Sequence, residues 1–347
     1  MTIAIDISPL ASGHKIRGVG FYLQNLKDSL VKYFPDNTYI FFNRQEEINQ
    51  NIDIIHYPYF DPFFVTLPFI NKYKTVVTVH DLMPFVFPEH FPAGIKGTLS
   101  WQFQKRALQK ADAIITDSYC SQKDIMCFTN VPKEKIHVIY LAAHQEYRKI
   151  ELSDSQIKTL QRKYNLPEKF LLYVGDVTWN KNLSRLVEAV AKTDVPLVMV
   201  GKSLVNKNYD KMNIWNQDLV QVQKLIERND QVVQVGFIPT KDLVALYNLA
   251  TAFIMPSLYE GFGLPVLEAM ECEVPVIATK EGSLPEVCGD AAYYVDPYTI
   301  ESIAKGVNTV FSDEIIQRKL IEKGQVQAKK FNWEKTAKET INVYKSV

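Results

Sequence analysis

Short apolar runs recur along the whole chain, and most of them are followed by a polar loop and then by a segment with helical periodicity. Runs that are apolar throughout, rather than alternating, are typical of strands buried on both faces of a parallel sheet. A strand followed by a helix, repeated many times, predicts an α/β fold. The predicted strands cover residues 3–7, 38–42, 74–79, 113–116, 136–141, 170–174, 195–200, 231–235, 252–255 and 274–278.

The length and composition narrow the class of protein. A chain of 347 residues predicts about two domains, and a polar stretch at 144–168 places their boundary near residue 150. Lys and Arg equal Asp and Glu at 39 each, so no overall charge favours nucleic acid. No signal peptide or apolar span is found, and we expect a cytoplasmic protein. The four cysteines and six histidines lack metal-ligand spacing, so no metal site is predicted.

One stretch, MPSLYEGFGLPVLEAM at 255–270, has the strongest chemical signature. A strand ends there, a loop with two glycines follows, and Pro265 opens a helix. A helix N-terminus under such a loop suits a phosphate, whereas Glu260 and Glu268 would repel one and are better suited to sugar hydroxyls. The alternative is that Glu268 only complements the helix dipole and that Glu260 is a solvated loop acid.

Other candidates follow predicted strands, where ligands of open α/β sheets bind. His80 and Asp81 end the strand at 74–79, and Gly236 follows another strand. Lys181 precedes a helix and could place its charge on a diphosphate; an ordinary surface lysine is the alternative.

The first strand leads to a glycine pair, and later strands lead to polar helix starts. Gly18 and Gly20 form a predicted loop before a helix, where they either admit a substrate or simply make the turn. Leu23 replaces the third glycine of a dinucleotide fingerprint, so that class of site is not indicated. Asp117, Ser118 and Ser121 are read as caps of the helix that follows them.

Two neighbouring segments could contact something larger than a nucleotide. The aromatic segment at 57–70 contains three prolines, which exclude a regular helix. It covers the core, holds an acceptor or touches a bilayer. The helix at 94–110 carries several Lys and Arg residues beside aromatic ones. It either rests on anionic lipid or presents a solvated face.

The pair Glu260 and Glu268, with seven residues between them, resembles the acidic pair of the family 4 retaining glycosyltransferases. TVHDLMPFVFPEHF at 78–91, the loop at 175–182 and the loop at 279–286 resemble other segments of that family. The resemblance implies the GT-B fold, in which two Rossmann-like domains with parallel sheets face a central cleft. It implies an acceptor-side domain at 1–150, a nucleotide-sugar domain at 151–330, and a C-terminal helix within 331–347 that returns to the first domain.

The resemblance also implies roles for individual residues. Glu268 would bind the ribose, Glu260 the transferred sugar and Lys181 the diphosphate, while His80 would face the donor sugar. The remaining donor contacts would come from Gly18, Gly20, Gly236, Gly261, Phe262, Gly263 and Leu264. No general base, covalent nucleophile, cofactor or metal is implied.

Three departures from the family pattern stand out. Asn180 replaces a common arginine and Asp176 adds no cation, so that Arg17 would have to assist Lys181. Cys272-Glu273 stands where the family usually has a glycine, in the turn after the Glu268 helix.

The predicted reaction is transfer of a hexose from a nucleotide diphosphate sugar with retention, and GDP-mannose is slightly preferred by family analogy. The predicted acceptor is a saccharide or a lipid-linked saccharide, reached in the cytoplasm or at the inner face of the membrane, as in polysaccharide biosynthesis. Two other hypotheses are a nucleotide-sugar-binding subunit without activity, which the missing arginine suggests, and a nucleotide-sugar epimerase of the same fold.

Overall fold

The computed structural model describes residues 1–13, 18–44, 48, 50–69 and 72–347. Arg17, one of the predicted diphosphate contacts, lies outside these residues. The chain forms two compact units: unit 1 comprises Met1–Ala142 with Phe331–Val347, and unit 2 comprises Ala143–Lys330. The sequence predicts a boundary near residue 150. In the structure, unit 2 begins at Ala143.

The described part of unit 1 holds a six-stranded parallel sheet, in the order β2-β1-β3-β4-β5-β6. Its inner strands are apolar because helices and loops cover both faces. The strands are β1 (Thr2–Asp6), β2 (Thr38–Phe42), β3 (Ile54–Tyr57), β4 (Lys74–Thr78), β5 (Ala113–Thr116) and β6 (Ile136–Val138). The strand at 54–57 was not among the predicted runs.

The helices of unit 1 include the last helix of the chain. They are α1 (Gly18–Tyr33), α2 (Met83–Val86), α3 (Gly94–Gln109), α4 (Tyr119–Thr129) and α13 (Trp333–Ser346). Thr336 of α13 donates a hydrogen bond of 2.7 Å to the carbonyl of Tyr140, and the Tyr344 hydroxyl lies 2.7 Å from Nδ1 of His56. One prediction was wrong: Gly18 and Gly20 lie in the first turn of α1, not in a loop before it.

The sheet of unit 2 is also parallel and six-stranded within the described residues, in the order β12-β11-β10-β7-β8-β9. The predicted α/β class is confirmed. The strands are β7 (Leu171–Val174), β8 (Leu197–Val200), β9 (Val232–Val235), β10 (Ala252–Met255), β11 (Val276–Ala278) and β12 (Ala292–Tyr294). The helices are α5 (Asp154–Tyr164), α6 (Leu183–Val190), α7 (Gln217–Ile226), α8 (Thr240–Leu249), α9 (Leu264–Glu271), α10 (Leu284–Cys288), α11 (Ile300–Ser312) and α12 (Glu314–Ala328).

None of the helices formed by the described residues is both long enough and apolar enough to cross a membrane.

The turn that ends α9 explains the departure at Cys272-Glu273. Val274 N–H donates to the carbonyl of Ala269 at 2.9 Å, and Glu273 N–H donates to that of Met270 at 3.1 Å. These two bonds define a Schellman motif, which requires a left-handed residue after the helix. Glu273 takes that conformation, with φ of 58°. The turn expected from a glycine is therefore formed by a glutamate, at a cost of about 1 kcal/mol.

We expect Glu273→Gly to raise the free energy of unfolding by about 0.5–1 kcal/mol, because glycine adopts positive φ without a Cβ clash but loses more entropy on folding. Urea unfolding followed by tryptophan fluorescence measures the change. Asn165→Gly is the matched control, since Asn165 ends α5 with φ of 52° and asparagine tolerates this conformation. An equal gain in both variants, or a loss in the first, would contradict the explanation.

Candidate functional site

Two loops of unit 2 leave neighbouring strands at the point where the chain reverses its progress across the sheet. Strands β8 and β9 follow β7 on one side, whereas β10, β11 and β12 lie on the other. The loops after β7 and β10 therefore turn in opposite directions, and open α/β sheets bind ligands where this happens. The first loop carries Lys181, and the second carries Glu260.

Lys181 and Glu260 contact each other directly. Nζ of Lys181 lies 2.7 Å from Oε1 and 2.8 Å from Oε2 of Glu260. The hydroxyl of Ser257 donates to Oε1 at 2.6 Å. The side chains of Lys181 and Glu260 are 20% and 9% exposed, so water screens the pair only in part. Two predicted site residues thus form one charge pair, and the ammonium keeps a third proton for another acceptor.

The backbone of Glu260 is fixed by the loop that follows β11. The Ser283 hydroxyl lies 3.0 Å from the carbonyl of Glu260 and 2.8 Å from that of Phe262, and it shares its proton between them. Gly282 has φ of 59°, and a Cβ there would lie 2.7 Å from both N and O of Glu260. Only glycine fits this close approach. The loop at 279–286, which resembles the family's loop beside the donor site, therefore holds Glu260 in place.

Asn180 stands where the family commonly has an arginine, and in the structure it holds the backbone of a neighbouring loop. It is 4% exposed, and its Nδ2 donates to the carbonyl of Tyr259 at 2.9 Å. Its own carbonyl accepts the N–H of Leu258 at 2.7 Å. Asn182 donates in the same way to the carbonyls of Pro256 and Pro297, at 3.0 and 2.8 Å. Both asparagines tie the loop after β10 to the loop after β7.

Helix α9 begins at Leu264, so Pro265 is its second residue and not its first. Gly263 precedes it with φ of 97°, and no side chain caps the helix. Pro265 has no N–H, and the N–H of Val266 donates to the carbonyl of Gly263 at 3.0 Å. The backbone N–H groups left for an anion at this helix start are therefore those of Gly263 and Leu264. Phe262 is buried, and its neighbour Gly261 is partly exposed.

Glu268 lies one turn into α9 among tyrosines. The hydroxyl of Tyr247 donates to its Oε2 at 2.8 Å. Burial raises the pKa of Glu268 to about 7, although the hydroxyls of Tyr247 and Tyr147 oppose the shift. A carboxyl group of this kind changes charge near neutral pH.

The other glycine predicted to contact the donor, Gly236, directly follows β9. A Cβ there would lie 2.7 Å from Cγ2 of Val205. Its role toward a ligand remains a prediction, and so do the roles of Gly18 and Gly20.

In unit 1, His80 follows β4 and is paired with Asp117, which follows the adjacent strand β5. Nδ1 of His80 lies 2.6 Å from Oδ2 of Asp117. Burial lowers the pKa of His80, but the Asp117 carboxylate, with smaller contributions from Asp81 and the Pro58 carbonyl, raises it further than burial lowers it, so the net shift is upward. The Ser121 hydroxyl donates to the backbone carbonyl of His80 at 2.9 Å.

The sequence pattern predicts that Asp117 caps α4, but in the structure Asp117 bonds to His80. The cap of α4 is Ser118 alone, whose hydroxyl accepts the N–H of Ser121 at 3.0 Å. The useful signal was its position: Asp117 follows its strand as His80 follows β4, and parallel neighbours end at the same edge of a sheet. Within the described residues, no group of three or more His, Cys, Asp or Glu side chains could hold a metal ion.

Comparison with known proteins decides the family. Residues 156–327 match the family model described as glycosyl transferases group 1, and residues 13–144 match that of glycosyltransferase family 4. The O-antigen chain mannosyltransferase B of Escherichia coli is 32% identical over 282 residues, which are 78% of this chain and 70% of the relative. The chain belongs to the group 1 glycosyltransferases. It spans about a third of the length of the serotype-specific mannosyltransferases WbdA of the same species, which it also matches.

Solved structures show the fold of the chain. Sucrose-phosphate synthase from Thermosynechococcus elongatus superposes with a TM-score of 0.74 at 20% identity, over 99% of this chain and 98% of the other. HepE from Anabaena, crystallised with UDP-glucose, gives 0.73 at 18% identity, over 100% and 99%. At such identities the likeness concerns the fold, and the predicted GT-B fold is confirmed.

We expect Lys181→Met to lower the free energy of unfolding by about 2–3 kcal/mol, because it leaves the Glu260 carboxylate buried with no cation. The double variant Lys181→Met with Glu260→Gln should recover most of the loss. Urea unfolding of the four proteins of the cycle gives the coupling energy.

The control for this cycle is Lys192 with Glu301, an ion pair of 2.6 Å whose side chains are 52% and 75% exposed. Removing that pair should leave the unfolding midpoint unchanged. Equal effects in both cycles would mean that the burial of Glu260 does not matter.

Proposed function

We propose that this chain transfers a hexose from a nucleotide diphosphate sugar to a saccharide or lipid-linked saccharide, with retention at the anomeric carbon. The observation that supports it most is the Lys181–Glu260 pair at the switch point of unit 2, beside the uncapped start of α9. One cation, one acid and the N–H groups of Gly263 and Leu264 match a diphosphate next to a hydroxylated sugar.

The charges around this site favour stabilisation of a leaving group. The departing diphosphate gains negative charge as the sugar becomes oxocarbenium-like. The N-terminus of α9 and the remaining N–H of the Lys181 ammonium can stabilise that charge. Glu260 is held by an ammonium and a hydroxyl, so it is poorly placed to remove a proton. We therefore assign it to the hydroxyls of the transferred sugar, with no cofactor and no protein base, as the family resemblance implies for retention.

Glu268 is assigned to the ribose of the donor. Among the described residues, its carboxylate is paired with the hydroxyls of Tyr247 and Tyr147 and with no cation, which leaves it able to accept hydrogen bonds from a diol. GDP-mannose is the proposed donor because the relatives in E. coli are named mannosyltransferases. UDP-glucose is the donor to compare, since it is bound by the structural neighbour HepE.

We further propose that unit 1 rests on an anionic membrane through an aromatic–basic surface, which we define by Phe64, Val65, Ile95, Lys96, Leu99, Arg106 and Lys110. Gln104 is buried, and its Oε1 accepts three hydrogen bonds from Thr66 and Leu67, which fix the aromatic segment to α3. Phe63 packs on Gly97 of that helix. Phe64 is 71% and Ile95 83% exposed, and cations lie on the same helix, a combination suited to lipid headgroups.

We expect the purified chain to transfer mannose from GDP-mannose to a mannoside acceptor, and to bind GDP-mannose more tightly than UDP-glucose. Donor affinity should rise as the pH increases through about 7, because the carboxylate form of Glu268 accepts from the ribose. Isothermal titration across pH 5.5–8.5 measures both effects, using roughly one-unit steps. Glu268→Gln should bind more weakly and lose the pH dependence.

The same variant has a linked effect on stability. A carboxyl pKa that is higher in the folded than in the unfolded protein makes stability fall as the pH rises from about 4.5 to about 7. Glu268→Gln should remove this fall. Binding without turnover would favour the subunit hypothesis, and a changed sugar without acceptor would favour the epimerase; no binding of any nucleotide sugar would refute the proposal.

The membrane proposal predicts that Ile95→Glu with Leu99→Glu lowers binding to phosphatidylglycerol vesicles at least tenfold, on the order expected from lost apolar insertion. Vesicle sedimentation measures it. Ile315→Glu with Val326→Glu is the matched control, since these apolar residues of α12 are 77% and 64% exposed. Equal loss in both variants, or binding to phosphatidylcholine alone, would contradict an anionic docking surface.

A further inference from the structure

His80 of unit 1 is held by several neighbouring residues, more than a simple contact to the donor sugar requires. His80 is held on Nδ1 by Asp117, whose side chain is 3% exposed. The ring of Tyr22 packs edge-on against the imidazole, with centroids 4.7 Å apart and planes at 84°. The backbone carbonyl of His80 is fixed by Ser121. Tyr22 thus fixes the ring of His80, Asp117 fixes the protonation of Nδ1, and Ser121 fixes the main chain.

Two atoms at the centre of this network have no hydrogen-bond partner among the described residues. They are Nε2 of His80 and Oδ1 of Asp117, and both are buried. The Pro58 carbonyl contributes to the raised pKa of His80. Its geometry does not allow it to accept a hydrogen bond from Nε2. A buried donor without a partner costs about 1–3 kcal/mol, and a catalytic role is one of the reasons for which such a group is found in a folded protein.

We infer that Asp117 is a positioning residue for the transfer reaction, which holds His80 as a doubly protonated imidazolium whose Nε2–H donates to an oxygen of the substrate. The inference rests on the proposed function. The receiving atom would be a sugar hydroxyl or a phosphate oxygen, since either accepts from a cation. No proton leaves His80 in this role, and no bond is made or broken by it.

The other titratable groups around His80 do not compete for this charge. His56 on β3 bonds to Thr78 and Tyr344 at 2.8 and 2.7 Å, and burial lowers its pKa to about 3, so it stays neutral. Burial raises the pKa of Tyr22 on α1, so this residue is also neutral. Asp81 in the loop after β4 is the second acid that acts on His80, and it adds to the effect of Asp117.

The test compares Asp117→Asn with Asp117→Ala. The amide can still accept from Nδ1–H and so keeps the tautomer, but it carries no charge; alanine loses both. In ¹³C-histidine NMR, assigned with His80→Gln, we expect the pKa of His80 to lie above the usual value in the wild type and below it in Asp117→Asn, because only the smaller effects of Asp81 and the Pro58 carbonyl then oppose burial.

The pH dependence of kcat/KM should change in parallel. Activity that requires the imidazolium is lost as the pH rises through the pKa of His80, and this alkaline loss should move at least one unit lower in Asp117→Asn. The ratio of activity at pH 8 to that at pH 6 would then fall about tenfold.

Asp112→Asn is the matched control, because Asp112 precedes β5 while Asp117 follows it, and it bonds to Lys74 and Thr75 instead. It should move neither the NMR pKa nor the pH profile. An unchanged pKa of His80 in folded Asp117→Asn would overturn the inference, and so would a lowered pKa with an unchanged pH profile. If the wild type transfers no sugar, the proposed function fails while the NMR result still tests the pairing.

Discussion

The constraint on which unit 2 depends is the burial of the Glu260 carboxylate in a loop at the switch point of the sheet. A carboxylate removed from water must be paired, or it is protonated or displaced. Lys181 and Ser257 supply the partners. Hydrogen bonds to the carboxylate form only at short distances, so the loop after β10 must be fixed. Asn180 and Ser283 hold the backbone of that loop by donating to the carbonyls of Tyr259 and Glu260. The geometry of the proposed donor site follows from satisfying one buried charge.

Unit 1 repeats this arrangement with different residues. His80 and Asp117 extend from the ends of adjacent strands β4 and β5 and are 37 positions apart in the chain. Lys181 and Glu260 extend from the ends of β7 and β10 and are 79 positions apart. In both sheets, the parallel register brings distant loops together, and an ion pair joins them. With His80 as the imidazolium that we infer, each pair has a cationic member with one proton for which the described residues provide no acceptor, and a negatively charged or hydroxylated substrate could accept it.

The sequence was most informative where one strong local signal decided the structure. Continuous apolar runs located ten of the twelve described strands within a few residues, and the glycine-proline pattern located α9. It was least informative where two signals competed. Gly18 and Gly20 favour a turn, but the helix that contains them is stabilised by the buried side chains of Tyr22 and Leu23, and tertiary packing overrides propensity.

Side-chain partners were harder to predict, because a partner distant in sequence leaves no local pattern. Asp117 precedes a genuine cap, Ser118, and was read with it; its bond to His80 depends on strand order alone. Asn180 was compared with an arginine that would face a phosphate, yet it is buried and holds the chain. In both cases the residue type permits several roles, and only the topology of the sheet selects one.

The two acids of the motif differ in their partners, and this difference supports the separate functions proposed for them. Glu260 is joined to a cation, so its negative charge is compensated before any substrate arrives. Glu268 is joined to the hydroxyl of Tyr247, and burial brings its pKa to about 7. Its ionised form therefore gains most from further hydrogen-bond donors, such as the two hydroxyls of a ribose. Binding of a donor and ionisation of Glu268 would then be linked, whereas Glu260 would hold the sugar with a charge that is already fixed.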